Sequence, residues 1–220
     1  MYAGSKAFFY ALSRSALLKR LASRYGLATS GSFASRFIAG ETIEAAIQAA
    51  RRLQAQGFLI TLDHLGEGVK AIEEASAATR EYVRLMEVIV AAGIERNISL
   101  KLTQLGIDVD RATCVDNLRR ILEPATRHDF FVRIDMEHSA YTERTLDIFE
   151  TIWEQEYRNV GVALQAGLYR TEQDIQRMNE LGARVRLVKG AYKEPASVAY
   201  QRKDDVNAAF VRLARQLLDS

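Results

Sequence analysis

The chemistry in this sequence sits in short β-like stretches that carry charge where a core should lie. In Arg184-Val185-Arg186-Leu187-Val188-Lys189-Gly190-Ala191-Tyr192, a period of two puts Val185 and Leu187 on one face, with Arg184, Arg186, Val188 and Gly190 on the other. The same alternation sets Lys101 opposite Ile98, Leu100 and Leu102, and sets Arg133, Asp135 and Glu137 opposite Phe130, Val132, Ile134 and Met136. Gln165 falls opposite Val160, Val162 and Leu164, and Asp63 opposite Phe58, Ile60 and Leu62. Each charge taken out of water loses several kcal/mol of hydration unless it is partnered. A buried structural ion network is one reading, and a ligand site is the other and the better one. Fixed guanidinium and ammonium groups in a water-poor cavity stabilise negative charge, and a glutamine can both donate and accept.

The elements that position these residues alternate strictly. Helical periodicity predicts helices over Glu41 to Ala55, Val69 to Ala92, Arg111 to Arg127, Glu143 to Gln155, Glu172 to Leu181 and Asp204 to Leu218. Between them fall strands Phe58 to Asp63, Ile98 to Thr103, Phe130 to Met136, Val160 to Gln165 and Arg184 to Gly190. Five strand and helix pairs in alternation imply a parallel sheet, either doubly wound or part of a closed barrel. One apolar and one polar face per strand favours the barrel, whose strand ends converge on one mouth. A doubly wound sheet needs helices on both faces and leaves no place for a polar one.

Composition narrows the class further. The chain has 220 residues, 48% hydrophobic and 26% charged, a formal charge of +2 and two prolines, which describes an ordinary globular protein with no electrostatic call for nucleic acid. Cys114 is the only cysteine, so no internal disulfide or cysteine metal cluster exists, which suits a reducing compartment. His64, His128 and His138 lack metal-ligand spacing, and no metal is expected. Residues 1–39 form a basic arm: Lys6, Arg14, Lys19, Arg20, Arg24 and Arg36 precede the first acid, Glu41. Its apolar spacing over Ala7 to Leu21 fits a docked helix, a helix on an anionic membrane surface, or an organellar leader peptide. The expected location is therefore cytoplasmic or peripheral to the inner membrane, with a mitochondrial one as the lesser alternative.

Five motifs in order carry a resemblance. Thr61-Leu62-Asp63-His64-Leu65-Gly66-Glu67, Ser99-Leu100-Lys101-Leu102-Thr103-Gln104-Leu105-Gly106, Arg133-Ile134-Asp135-Met136-Glu137, Leu164-Gln165-Ala166 with Leu168-Tyr169-Arg170-Thr171, and the Arg186 to Tyr192 stretch resemble the successive strand motifs of flavin-dependent proline dehydrogenases. The resemblance runs from Phe37 to Glu194 and implies a (β/α)8 barrel of the TIM type, of which residues 40–220 hold the first five units. It implies FAD as cofactor and oxidation of L-proline to 1-pyrroline-5-carboxylate, with electrons passed to a membrane quinone. By the same resemblance Lys101 pairs with the substrate carboxylate, and Asp135 shapes the substrate pocket. Arg186 lies near flavin N5, and Met136, Gln165, Val188, Lys189, Gly190 and Ala191 border the cofactor.

Two departures from the family pattern carry expectations of their own. Gly167 stands where the family usually has tyrosine, so one wall of the flavin pocket is expected to be missing or replaced. The sequence stops at Ser220, before three further units that carry a sixth-strand cofactor motif and paired arginines in the last helix of family members. These 220 residues alone are accordingly expected to show little proline oxidation, unless a partner chain supplies the missing strands; brisk turnover would refute that. Two other readings stay open here: a barrel enzyme using Lys101 or Lys189 as a Schiff-base amine, and a non-catalytic flavin-binding fragment.

Overall fold

A computed structural model describes residues 39–219. All but the last residue of the basic arm, including the helix expected over Ala7 to Leu21, lies outside the described residues. The chain divides into two compact units, one ending at Phe58 and the other running from Leu59 to Ser220. In the first, helix α1 (Ile43–Gln54) begins at Thr42, whose hydroxyl accepts from Ala45 N at 3.2 Å. Glu44 in its first turn and Arg51 and Arg52 in its last complement the helix dipole.

The second unit alternates β1 (Leu62–Asp63), α2 (Ile72–Ala92), β2 (Asn97–Leu100), α3 (Arg111–Arg127), β3 (Phe131–Ile134), α4 (Ser139–Glu154), β4 (Val160–Gln165), α5 (Thr171–Leu181), β5 (Arg184–Val188) and α6 (Lys203–Leu218). Its sheet is parallel throughout and its strand order is sequential, β1 to β5. A doubly wound sheet reverses direction at a switch point, and this one never does. Right-handed crossovers that always step the same way lay every helix on one face and leave the other free. That is the architecture of a (β/α) barrel wall.

The helix-covered face is the core. Ile98, Val132, Ile134, Val160 and Val162 are fully buried against helical Leu118, Leu122, Leu146, Phe149, Ile152 and Ile175. Each such side chain contributes ~1.5–3 kcal/mol by leaving water. Cys114, at the start of α3, points its thiol at Leu102 O, and burial pushes that thiol up to about 12, so it stays protonated and inert.

Four of the five strands are shorter than the sequence predicts: β3 runs Phe131–Ile134 rather than Phe130 to Met136, β5 stops at Val188 rather than Gly190, and β1 and β2 are cut back as well. Pairing of β1 with β2 is limited to Leu62 with Ile98 and Asp63 with Ser99, and β2 begins only one residue earlier, so Phe58 to Thr61 find no ladder partner there. Phe58 and Leu59, expected in the strand, are 57% and 87% exposed. β2 ends at Leu100, and Lys101 to Thr103 turn instead, with Gln104 N donating to Lys101 O and Leu105 N to Leu102 O. Helix α4 starts four residues earlier than its periodicity suggests, because the Glu194 carboxylate accepts from Ser139 N at 2.7 Å and caps it from outside. Among the described residues no helix is long and apolar enough to cross a membrane.

Candidate active site

Register places the charged residues on one level. Ser99 is opposite Arg133, Arg133 opposite Gly161 and Ala163 opposite Arg186, so two residues past the first pair Lys101, Asp135, Ala163 and Arg186 form a row. The bond from Asp135 N to Leu100 O, 2.8 Å, carries that alignment just beyond the strand ends. Below Gln165, which ends the strand, β4 contributes only Gly161 and Ala163 to this face. Strands two apart are separated by about 10 Å, and with so little side chain between them residues of β3 and β5 can meet over β4.

They do meet. Arg186 Nη2 is bonded and ion-paired to Asp135 Oδ1, and Lys101 Nζ lies 3.9 Å from Asp135 Oδ2 and 3.3 Å from Asp63 Oδ2. The result is an alternating row, Asp63, Lys101, Asp135, Arg186, drawn from four strands. Its charges cancel, but its donors are not used up: Arg186 Nε is buried without a partner. Burial pushes the Asp135 carboxyl above its ordinary range, against the opposing pull of Arg186 and then Lys101.

A second cluster ties the strand ends together. Glu137, 4% exposed, accepts from Thr103 Oγ1 at 2.7 Å and Thr103 N at 3.2 Å, which fixes the turn carrying Lys101. Its backbone carbonyl accepts from Gln165 Nε2, so the same residue orients the glutamine at the end of β4. Gln165 Oε1 faces Gly190, whose φ is +108°; a Cβ there would sit 2.8 Å from that oxygen. Gln165, Lys189, Gly190 and Tyr192 line a hollow of about 200 Å³. A larger one, about 920 Å³, opens at the opposite ends of the strands beside Phe131, Asn159 and Arg184. Barrel chemistry belongs to the C-terminal ends, so size is no guide here.

Burial raises the Glu137 carboxyl above its ordinary range, and the two Thr103 bonds only partly offset this. Folding therefore favours the protonated form, and stability falls as pH rises from the unfolded value through the raised folded one. Glu137→Gln keeps both Thr103 bonds, accepting from N and donating to Oγ1, without the buried charge. It is expected to unfold at a higher temperature than wild type at pH 7, with the advantage shrinking at acid pH where Glu137 is protonated in both states.

Not every expected residue joins the cluster. Met136 is 7% exposed two residues past the end of β3, Val188 closes β5, and Ala191 is exposed beyond Gly190. Lys189 turns away, its Nζ donating to Asn207 Oδ1 at 2.7 Å and lying over the Phe210 ring of α6. Arg133, expected among the site charges, lies with Arg184 over the Phe131 ring, at 5.0 and 5.2 Å. Gly167 has Lys189 O so close that a Cβ would meet it at 2.9 Å, and Tyr200 lines the hollow beside it. Sequence reasoning missed the part played by Asp63, although its inward parity on the first strand is the same signal that marked Lys101. It also missed Tyr82, whose hydroxyl reaches Asp63 Oδ1 at 3.2 Å from the middle of α2.

The comparisons with known proteins bear on the family and the fold. The family model described as proline dehydrogenase matches residues 46–220. "Proline dehydrogenase 2" of Bacillus subtilis (strain 168) is 37% identical over 214 residues, 97% of this chain and 69% of the relative. "Proline dehydrogenase" of Deinococcus radiodurans is 38% identical over 84% of this chain and 61% of its own length. Among solved structures, proline utilization A from Bdellovibrio bacteriovorus, inactivated by N-propargylglycine, superposes with a TM-score of 0.75 at 25% identity, covering 83% of this chain and 24% of that one. The chain thus spans about two thirds of its Bacillus relative and a quarter of the larger solved protein. On the family model and these identities together, this chain belongs to the proline dehydrogenase family.

Proposed function

We propose that the protein oxidises L-proline to 1-pyrroline-5-carboxylate, with FAD as its cofactor. The observation that carries the reading is the row Lys101, Asp135, Arg186 at the C-terminal strand ends, with an unpartnered buried Nε on Arg186. A flat, acceptor-edged group fits that setting: Arg186 Nε offers a donor, Gln165 an amide, and Gly190 a stretch of backbone with no side chain to hold the group away. When bound, FAD supplies the acceptor for the hydride that leaves the proline ring carbon next to nitrogen. The remaining work falls to side chains. Lys101 takes the substrate carboxylate as a compact point charge, and Asp135 holds Lys101 and Arg186 in register. Arg186 holds a fixed positive charge where negative charge arrives with the hydride. The ring nitrogen gives up its proton as the C=N bond forms, which completes the two-electron oxidation.

Nothing favours a lysine nucleophile, since Lys101 is engaged by two carboxylates and Lys189 by Asn207. A quinone is the proposed final acceptor, and the cluster of basic residues before Glu41 would hold the protein at an anionic membrane surface. The test is optical. Protein mixed with FAD and freed of excess by gel filtration should remain yellow, and L-proline should bleach it under anaerobic conditions, slowly and as a single stoichiometric reduction rather than as the brisk turnover that these 220 residues alone are not expected to show. Colourless protein after FAD addition, or yellow protein that proline leaves unbleached, would refute the reading.

A further inference from the structure

Asp63 is the one carboxylate in the row that the proposed chemistry leaves without a task. It stands on β1, 3.3 Å from Lys101 Nζ, and its other oxygen is 3.2 Å from the Tyr82 hydroxyl. Tyr82 is fully buried in α2, and its hydroxyl, with one proton to donate, also lies 3.0 Å from Gln104 Oε1 and 3.3 Å from His64 O, while packing holds its ring in place. Asp63 is thereby fastened to a helix behind the sheet, whereas Lys101 follows the end of β2 on a long flexible stem. On the other side of Nζ lies Asp135, at 3.9 Å. An ammonium between two carboxylates settles according to which of them is nearer and better held.

We propose that Asp63, anchored by Tyr82, is a positioning residue for Lys101: it holds the ammonium back from Asp135 and so keeps it available to the substrate carboxylate. This rests on the reading of Lys101 as the carboxylate-binding group. Without Asp63 the ammonium moves to Asp135, the nearest remaining carboxylate, and competes there with Arg186. The ammonium is then displaced from the place between the two carboxylates where it meets substrate, and affinity for proline falls while affinity for FAD does not.

The measurement is the half-saturating proline concentration for anaerobic bleaching of the FAD-loaded protein, in a double-mutant cycle. Asp63→Asn, nearly isosteric, should raise that concentration about tenfold with FAD affinity unchanged. Lys101→Met should raise it at least as much. Asp63→Asn added to Lys101→Met should change it by less than about twofold, because the group being positioned is gone. Tyr82→Phe, which keeps the Asp63 charge but frees its carboxylate, should give about a threefold rise, again only when Lys101 is present. Should Asp63→Asn fail to fold, as read by its melting temperature, the Tyr82→Phe cycle decides alone. Equal effects with and without Lys101 would overturn the proposal, since a merely structural loss does not depend on Lys101. An unchanged or lowered half-saturating concentration in Asp63→Asn would overturn it too, making Asp63 a competitor of the substrate. Wild-type protein that binds FAD but is not bleached by proline overturns the functional reading and this proposal together, whereas additive effects in an active protein overturn this one alone.

Discussion

Arg186→Met should slow the bleaching of FAD-loaded protein by proline about 10²–10³-fold, the usual consequence of removing a fixed charge or donor from a water-poor site. No neighbour can take its place. Arg133, two residues along β3 from Asp135, is committed to the Phe131 ring, and Lys189 to Asn207. The substitution also changes Asp135. Burial raises that carboxyl and Arg186 is the largest influence holding it down, so without the guanidinium it protonates at higher pH. A protonated Asp135 no longer holds Lys101 by charge, and the acid limb of the rate profile should move to higher pH in the variant. Arg186→Lys retains the charge but not the second donor, so its pH limb should stay near that of wild type while its rate falls less than that of the methionine variant. A rate within about fivefold of wild type for Arg186→Met, too small for the loss of such a group, would remove Arg186 from the chemistry.

How much of this was legible beforehand depended on where each constraint originates. Helix α3 and strand β4 match their expected bounds, because Asp110 caps the one through Thr113 N and an unbroken apolar alternation defines the other. The convergence of Lys101, Asp135 and Arg186 was legible too, since inward parity repeats from strand to strand and sequential parallel pairing keeps it in phase. Contacts that come from elsewhere in the chain were not. The start of α4 depends on Glu194, 55 residues further on. Asp63 has meaning only once Lys101 and Tyr82 are seen on either side of it, and a tyrosine amid an apolar helical face reads as core. Lys189, which strand parity already sets with Val185 and Leu187 on the helix-covered face, meets Asn207 and Phe210 of α6 just before the chain turns at Gly190, and it is those partners that local sequence does not encode.

That turn supports the second large expectation, loss of cofactor in Gly190→Ala. At φ +108° an alanine is strained by ~1–3 kcal/mol, and its Cβ would press on Gln165 Oε1 at 2.8 Å. Gln165 has little room to yield. It is 3% exposed, and its side-chain amide is bonded to Glu137 O. Swinging the side chain away would break a buried hydrogen bond at a further cost of ~1 kcal/mol or more. The variant relieves both by shifting the backbone after β5, and the cradle between Gln165 and Gly190 changes shape. An FAD dissociation constant raised about 10–100-fold is the expected result, from converting that strain into lost affinity. Gly182→Ala separates this from ordinary backbone strain: its φ is +67°, but nothing lies within 4 Å of the added Cβ, and it ends α5 away from the row of charges. Both variants should melt at lower temperature than wild type, and only Gly190→Ala should lose its colour on gel filtration. If both keep FAD equally well, the flavin does not lie against Gly190, and the stretch after β5 has a structural role alone.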